Sequence, residues 1–444
     1  MPRSIVEVAA PVRAKTFAYD HVDIDAGAGT ITCRYHSDEV SFVEVARFEG
    51  TVDLDAPGVH RAAELYFVLA GLSYYKTGAA ATIDLGEMYS ESNAQIVTAG
   101  VSGGLAEFAY RNGLDLSDIN VVGAPVADRG RDVVALTRGP LIPFGGGIDS
   151  IVTVATLRDD DAALFVVGPR SDRFAAIERP AAVTGLEVVR CSRELDTQLF
   201  EARRRGWFDG HVPVTAMLSS LAVIGALGQR RRAVVMSNER SASVPNLVVD
   251  TRGVNHQWSK SWECEQLQRS WLAAAFNEGV EYYSALRDRS ELWVAREFAQ
   301  RPEYFDAFMS CNRAFRQDPS TRATTWCGEC DKCLFIDLVL APFVDRTALE
   351  RLFSGCEPLG DPRRSHDLEV LVGLADNPKP FECVGDIDEC ATALVAAAAR
   401  ADRAGQRNLA ELAARCVGAR PLAELLVPDG PTNAQERNAA RDLL

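Results

Sequence analysis

The run Pro143-Phe144-Gly145-Gly146-Gly147-Ile148-Asp149-Ser150 can do chemistry with its backbone. Glycines between a strand and a helix let main-chain N–H groups approach an anion without Cβ obstruction. The helix start adds unpaired donors and the positive end of its dipole. Ser150 can donate to a phosphate. Asp149 cannot sit beside one unshielded, so a divalent cation between them is expected. From these residues alone, a tight strand-to-helix turn explains the glycines equally well. The run has neither the Gly-Lys-Ser/Thr ending of the common P-loop nor the spaced glycines of the dinucleotide fingerprint.

A second constellation is Cys327-x-x-Cys330-x-x-Cys333, preceded by Cys311. Four thiolates suit tetrahedral zinc, and the two-residue spacing lets a turn at Gly328 aim neighbouring sulfurs at one ion. An iron–sulfur cluster and unmetallated thiols are the other readings. Four protein ligands leave no open position, so the zinc is expected to be structural. Cys356, Cys383, Cys390 and Cys416 lack metal spacing and read as buried thiols.

Three further stretches carry polar chemistry. Ser237-Asn238-Glu239-Arg240 follows an apolar strand; Asn238 and Glu239 can hold a nucleotide or substrate, and Arg240 can balance phosphate charge. Asn255 to Glu265 mixes donors, acceptors, an imidazole and indoles, a density typical of a binding surface. His256 within it is either a general acid or base, tunable near neutrality, or a hydrogen-bonded loop histidine. Lys76, after Tyr74-Tyr75, either meets an anionic ligand or ends a helix at the surface.

The elements that must position these residues follow from periodicity. Residues 1 to about 55 alternate as strands, with a hairpin turn at Gly27-Ala28-Gly29, and 59 to 112 read as largely helical. Val133 to Phe144 reads as a strand broken at Arg138-Gly139-Pro140. Ala163 to Val167, Leu186 to Val189 and Ala233 to Met236 are short apolar strands, separated by helices that include buried Thr215 to Leu227. Such alternation predicts a parallel sheet covered on both faces, with ligands at the carboxyl ends of its strands. The loops at 145–150 and after Met236 fall on that edge. From about 345 the chain is mostly helical, including an alanine-rich helix at 391–401, before a loop at Pro428 to Thr432 and a polar tail.

Composition bounds the rest. The 444 residues suggest two or three domains, and 47% hydrophobic content supplies a core. A net charge of −15 argues against nonspecific nucleic-acid or anionic-membrane binding. No run of about 18 apolar residues and no leader-like start are present. Eleven cysteines without a leader read as cytosolic thiols plus a metal site. A cytoplasmic protein is expected.

The loop at Gly145–Ser150 resembles the Ser-Gly-Gly-x-Asp-Ser loop of the PP-loop ATP pyrophosphatases, with Gly145 in place of the first serine. Leu72 to Lys76, Gly145 to Ser150, Asn255 to Glu265, Ser310 to Phe315 and Trp326 to Phe343 together resemble one family within it. These are the ATP-dependent UDP-N-acetylmuramoyl-L-alanyl-L-glutamate epimerases, called MurL. Ile148 stands where members of that family often carry lysine.

The resemblance implies an α/β fold with three regions. Residues 1–130 form an N-terminal α+β domain, 131–345 a parallel-sheet PP-loop (adenine nucleotide α-hydrolase-like) catalytic domain carrying the cysteine site, and 346–444 a helical C-terminal region. It implies inversion of the terminal L-Glu of a peptidoglycan precursor, a small-molecule substrate, using ATP and Mg²⁺ and releasing AMP and diphosphate. Gly145, Gly146, Gly147, Asp149, Ser150 and Asn238 then bind the nucleotide. Lys76, Lys260 and Arg313 meet the acidic substrate, and His256, Glu239 or Glu263 transfers protons. The rival readings are another PP-loop adenylating enzyme, such as a 7-cyano-7-deazaguanine synthase-like ligase or a tRNA-modifying enzyme, and a non-catalytic nucleotide-binding protein.

Overall fold

Side-chain alternation along a few short strands decides the architecture. The computed structural model describes residues 11–124, 130–157, 161–316, 318–355 and 357–428. Cys356 and most of the 428–432 loop lie outside the described residues, as does the polar tail. In chain order the strands are β1 (Thr16–Asp25), β2 (Thr30–Ser37), β3 (Val40–Phe48), β4 (Thr82–Asp84), β5 (Asn120–Val122), β6 (Asp132–Val133), β7 (Leu141–Pro143), β8 (Ala163–Gly168), β9 (Glu187–Glu194), β10 (Ala233–Met236), β11 (Leu247–Val249), β12 (Arg252–Val254), β13 (Phe276–Glu278) and β14 (Glu281–Ser284).

Ten of them form one mixed sheet in the order β14-β10-β7-β8-β9-β3-β2-β1-β4-β5. The run from β14 to β9 is parallel. The meander β1–β2–β3 is antiparallel and joins that run through β3 and β9, with Val45 opposite Glu194 and Phe48 opposite Cys191. The N-terminal strands therefore extend the sheet that carries the glycine turn. The strand expected to be broken at Arg138-Gly139-Pro140 is two strands in different sheets: β6 pairs with β13 outside the main sheet, while β7 lies between β10 and β8. The expected helical stretch from 59 to 112 is interrupted by β4, because pairing beside β1 satisfies its backbone better than another helical turn.

The alternation sorts the core onto two faces. Leu141, Phe165, Val189 and Val234 point into one cluster; Ile142, Leu164, Val166 and Val235 point into the other. Helix Val214–Gly228 covers the first face with Leu221, Ile224 and Leu227 buried. Each such side chain contributes about 1.5–3 kcal/mol when fully buried. Helices Ile148–Leu157, Glu291–Ala299, Asp331–Leu340 and Ile387–Ala398 cover the second. No described helix is long and apolar enough to cross a membrane.

Candidate active site

The glycine turn sits where β7 ends and helix Ile148–Leu157 begins. Gly146 has φ +75°, and a Cβ there would lie 2.3 Å from the Ala176 carbonyl oxygen, so the turn needs glycine at this position. Gly145 differs: a Cβ would meet nothing within 4 Å, and the residue is exposed. Ser150 Oγ donates to the Gly147 carbonyl at 3.0 Å, holding the first helical turn. The Ser310 hydroxyl lies against Gly147, so the cysteine-bearing segment braces the glycine turn.

Three carboxylates converge at this edge. Asp149 follows β7, Glu239 follows β10, and Glu291 opens the helix after β14. Each offers an oxygen within 4.8 Å of the others. Glu239 and Glu291 are buried; Asp149 Oδ1 and Glu291 Oε2 are enclosed without a hydrogen-bond partner. Burial and the charge of Glu239 push the Asp149 carboxyl up to about 7. Burial, then the charges of Asp149 and Glu239, raise Glu291 well above the usual range. Clustered buried carboxylates with vacant lone pairs fit an oxygen-liganded divalent cation. The Lys260 and Lys332 ammonium groups face the same cluster.

A second group adjoins the first. The backbone widens at Gly100–Gly104, where Gly103 lets the Trp258 indole approach: a Cβ there would fall 2.3 Å from Nε1. The helix that follows, Ala106–Asn112, carries Glu107. Glu107 Oε2 lies 2.6 Å from His256 Nδ1, and the rings of His256 and His211 have centroids 4.2 Å apart. Burial acts to lower the His256 pKa, but hydrogen bonding to Cys383 and Glu107 outweighs it and raises the imidazole to about 9. Burial and the neighbouring His256 charge push His211 down to about 4. Lys260 Nζ stands 3.7 Å from Cys383 Sγ, and the Cys383 charge is the largest of the influences raising its pKa. Lys332 Nζ donates to the Cys383 carbonyl. Burial raises the Cys383 thiol, but Lys260, His256 and Lys332 prevail and bring it down to about 6. Cys383, expected as a buried thiol, is instead half-buried among cations.

The four cysteines of the metal pattern do meet. Their Sγ atoms lie within 4.8 Å of one another, with Cys327–Cys333 at 3.7 Å and Cys330–Cys333 at 3.4 Å. Tetrahedral Zn–S bonds of about 2.3 Å place sulfurs about 3.8 Å apart, so the set fits zinc. The N–H groups of Glu329 and Cys330 both donate to Cys327 Sγ at 3.4 Å, made possible by the turn at Gly328 with φ +68°.

Other anticipated residues lie elsewhere. Lys76 Nζ binds Asp209 Oδ1 at 2.9 Å and the Gly210 carbonyl, one residue from His211. Arg313 pairs with Glu329 at 2.6 Å on the outside of the cysteine turn. Glu263 is exposed and accepts from Trp258 Nε1. Arg240 is committed to Glu389 at 3.0 Å, which corrects its reading as a phosphate counter-ion. Asn238 is buried, its backbone N–H donating to Ser284 Oγ. Glu107, His211, Glu291, Lys332 and Cys383 escaped the sequence reading. Only Lys332 carried a signal: a lysine in the first turn of a helix opposes the dipole and asks for an anionic neighbour.

Comparison with known proteins shows what the chain is similar to. A profile described as the MurL N-terminal domain matches residues 9–285, and one described as the MurL C-terminal domain matches 307–424. A protein of Xanthomonas oryzae pv. oryzae named UDP-N-acetyl-alpha-D-muramoyl-L-alanyl-L-glutamate epimerase is 37% identical over 87% of this chain and 86% of its own. Two proteins of the same name, from Micromonospora sp. and Salinispora tropica, are 39% and 41% identical, covering 86% and 75% of this chain and 86% and 72% of theirs. No solved structure matches.

Proposed function

Because this chain belongs to the MurL family, we propose that it inverts the terminal L-glutamate of UDP-N-acetylmuramoyl-L-alanyl-L-glutamate during peptidoglycan precursor synthesis, with ATP as second substrate. The observation that carries the ATP requirement is the meeting of Asp149, Glu239 and Glu291 beside the glycine turn, at the carboxyl edge of parallel strands. In this reading the N-terminal meander and the PP-loop sheet form one catalytic unit around that edge, and the helical region beyond about 345 supplies Cys383.

The chemistry explains why ATP is needed. Removing the Cα proton beside a free carboxylate builds a second negative charge next to the first. Adenylation neutralises that carboxylate, so the α-proton becomes accessible to a general base. Release of diphosphate and final hydrolysis to AMP make the inversion effectively one-way. Gly145, Gly146 and Gly147 present N–H groups to phosphates, with Ser150 fixing the turn and Asn238 lining the pocket. Asp149, Glu239 and Glu291 would hold Mg²⁺, which shields phosphate charge when bound. Lys260 and Lys332 balance the acidic substrate from inside; Arg313 and Lys76, engaged by Glu329 and Asp209, lie outside this cluster. Cys311, Cys327, Cys330 and Cys333 would hold a structural zinc ion that fixes the Ser310 brace.

The test is a reaction in D₂O with ATP, Mg²⁺ and the UDP-linked dipeptide. AMP release with deuterium at an inverted glutamate Cα is the expected result. AMP release without deuterium would point instead to an adenylating ligase.

A further inference from the structure

Inversion at Cα demands a group that is unprotonated at neutral pH and can reach the substrate. The residues first suspected do not meet this. Glu263 is exposed and tied to Trp258. Glu239 belongs to the carboxylate cluster, where a cation would occupy it. His256 is held by Glu107 at 2.6 Å and carries its proton through neutrality.

We propose that Cys383 is the proton acceptor at the glutamate Cα, its thiolate held by Lys260 on one side and by the Glu107–His256 pair on the other. His256 Nδ1 is engaged by Glu107 at 2.6 Å, and the imidazole acts on the Cys383 thiol to favour its charged form. Lys260 Nζ is 3.7 Å from the sulfur, and Lys332 anchors the Cys383 carbonyl. Carboxylate, imidazole and thiol in series form the arrangement that activates a cysteine: the third group orients the second, which supports the thiolate. The charged and titratable groups facing the sulfur are His256, Lys260, Lys332 and, across the cation cluster, Asp149. Against the effect of burial, Lys260, His256 and Lys332 pull the Cys383 thiol down to about 6.

The step rests on the carboxyl activation proposed above. The Cα–H bond breaks, its proton forms the S–H bond of Cys383, and the electron pair passes into the activated carboxyl as an enolate. A protonated donor on the opposite face, refilled from water, delivers a proton to Cα in the inverted configuration. The thiol then loses its proton to water, restoring the thiolate.

Full-length C383S and C383A proteins test this with ATP, Mg²⁺ and the dipeptide substrate in D₂O. Diphosphate release, which reports adenylation, is expected to stay within about tenfold of wild type, while Cα inversion and deuterium uptake fall by about 10³-fold. Inversion in either variant at a tenth of the wild-type rate or more overturns the assignment. So does loss of diphosphate release in parallel with inversion, since a proton acceptor acts after adenylation. A second measurement is ultraviolet titration of the thiolate, with C383A as reference. A midpoint near 6 that rises in Glu107→Gln and Lys260→Met supports the cluster; a midpoint in the ordinary thiol range overturns it. Inversion by wild type without diphosphate release would refute the ATP reading alone, and loss of exchange in C383S would still support Cys383.

Discussion

Asp149 and Glu291 are carboxyl groups whose burial works against their charge. Asp149 is raised to about 7 from an ordinary value near 3.8. The folded state therefore binds the proton more tightly than the unfolded chain throughout that interval. The resulting stability is fully present below about 3.8 and is lost as pH rises through about 7. Glu291, also raised, acts in the same direction. A cation competes with protons for these oxygens and binds only the folded cluster, so its stabilisation grows as the protons leave. Magnesium is expected to raise the melting temperature more at pH 8 than at pH 5, read by scanning calorimetry of wild type and Asp149→Asn. An equal gain at both pH values, or a gain retained in the variant, would place the cation elsewhere.

At the scale of the element, the glycine turn separates two kinds of glycine. Gly146 is required by backbone geometry: positive φ costs an L-residue about 1–2 kcal/mol, and the Ala176 carbonyl blocks the Cβ. Gly145 has open space and no such φ. Gly146→Ala is expected to destabilise the protein by more than about 2 kcal/mol. Gly145→Ser should change stability by less than about 0.5 kcal/mol and lower the KM for ATP by adding a hydroxyl to the turn. Urea denaturation and steady-state kinetics check the pair; a Gly145→Ser protein with raised KM would mean that the turn does not face phosphate. The cysteine turn works beside it, since Ser310 packs on Gly147 one residue before Cys311.

At the scale of the whole molecule, the seam between β3 and β9 joins the meander to the parallel strands. A buried charge sits on it. Glu44 is 0% exposed and accepts from Arg193 Nε at 2.6 Å, from Tyr74 Oη at 2.8 Å and from Tyr66 Oη. Burial acts to lower the Arg193 pKa, and the Glu44 charge reverses that and raises it. Removing one partner of such a pair strands the other in a low dielectric, at a cost of about 3–5 kcal/mol. Glu44→Gln should lose stability of that order in urea. A loss under about 1 kcal/mol would show that the charge is not what secures the seam.

The local elements were legible in the chain because they depend on nearest neighbours. Period-two alternation marked β2 and β3, short apolar runs marked β8 and β10, and apolar content marked helix Val214–Gly228. The three cysteines spaced by two residues declared their cluster because a short turn suffices to bring them together. Glycines before Asp149 announced the turn for the same reason. The edge-on convergence of Glu239 with Asp149 was foreseeable too, since both follow parallel strands. What required the tertiary structure is everything set by long chain closure. Glu107 meets His256 across 149 residues, and Lys260 meets Cys383 across 123. No local periodicity records such a pairing, because its geometry is the sum of every intervening element. The charge state of Cys383 follows from that closure. In sequence it is one cysteine among eleven; in the fold, two lysines and an imidazole surround it, and their field decides its chemistry.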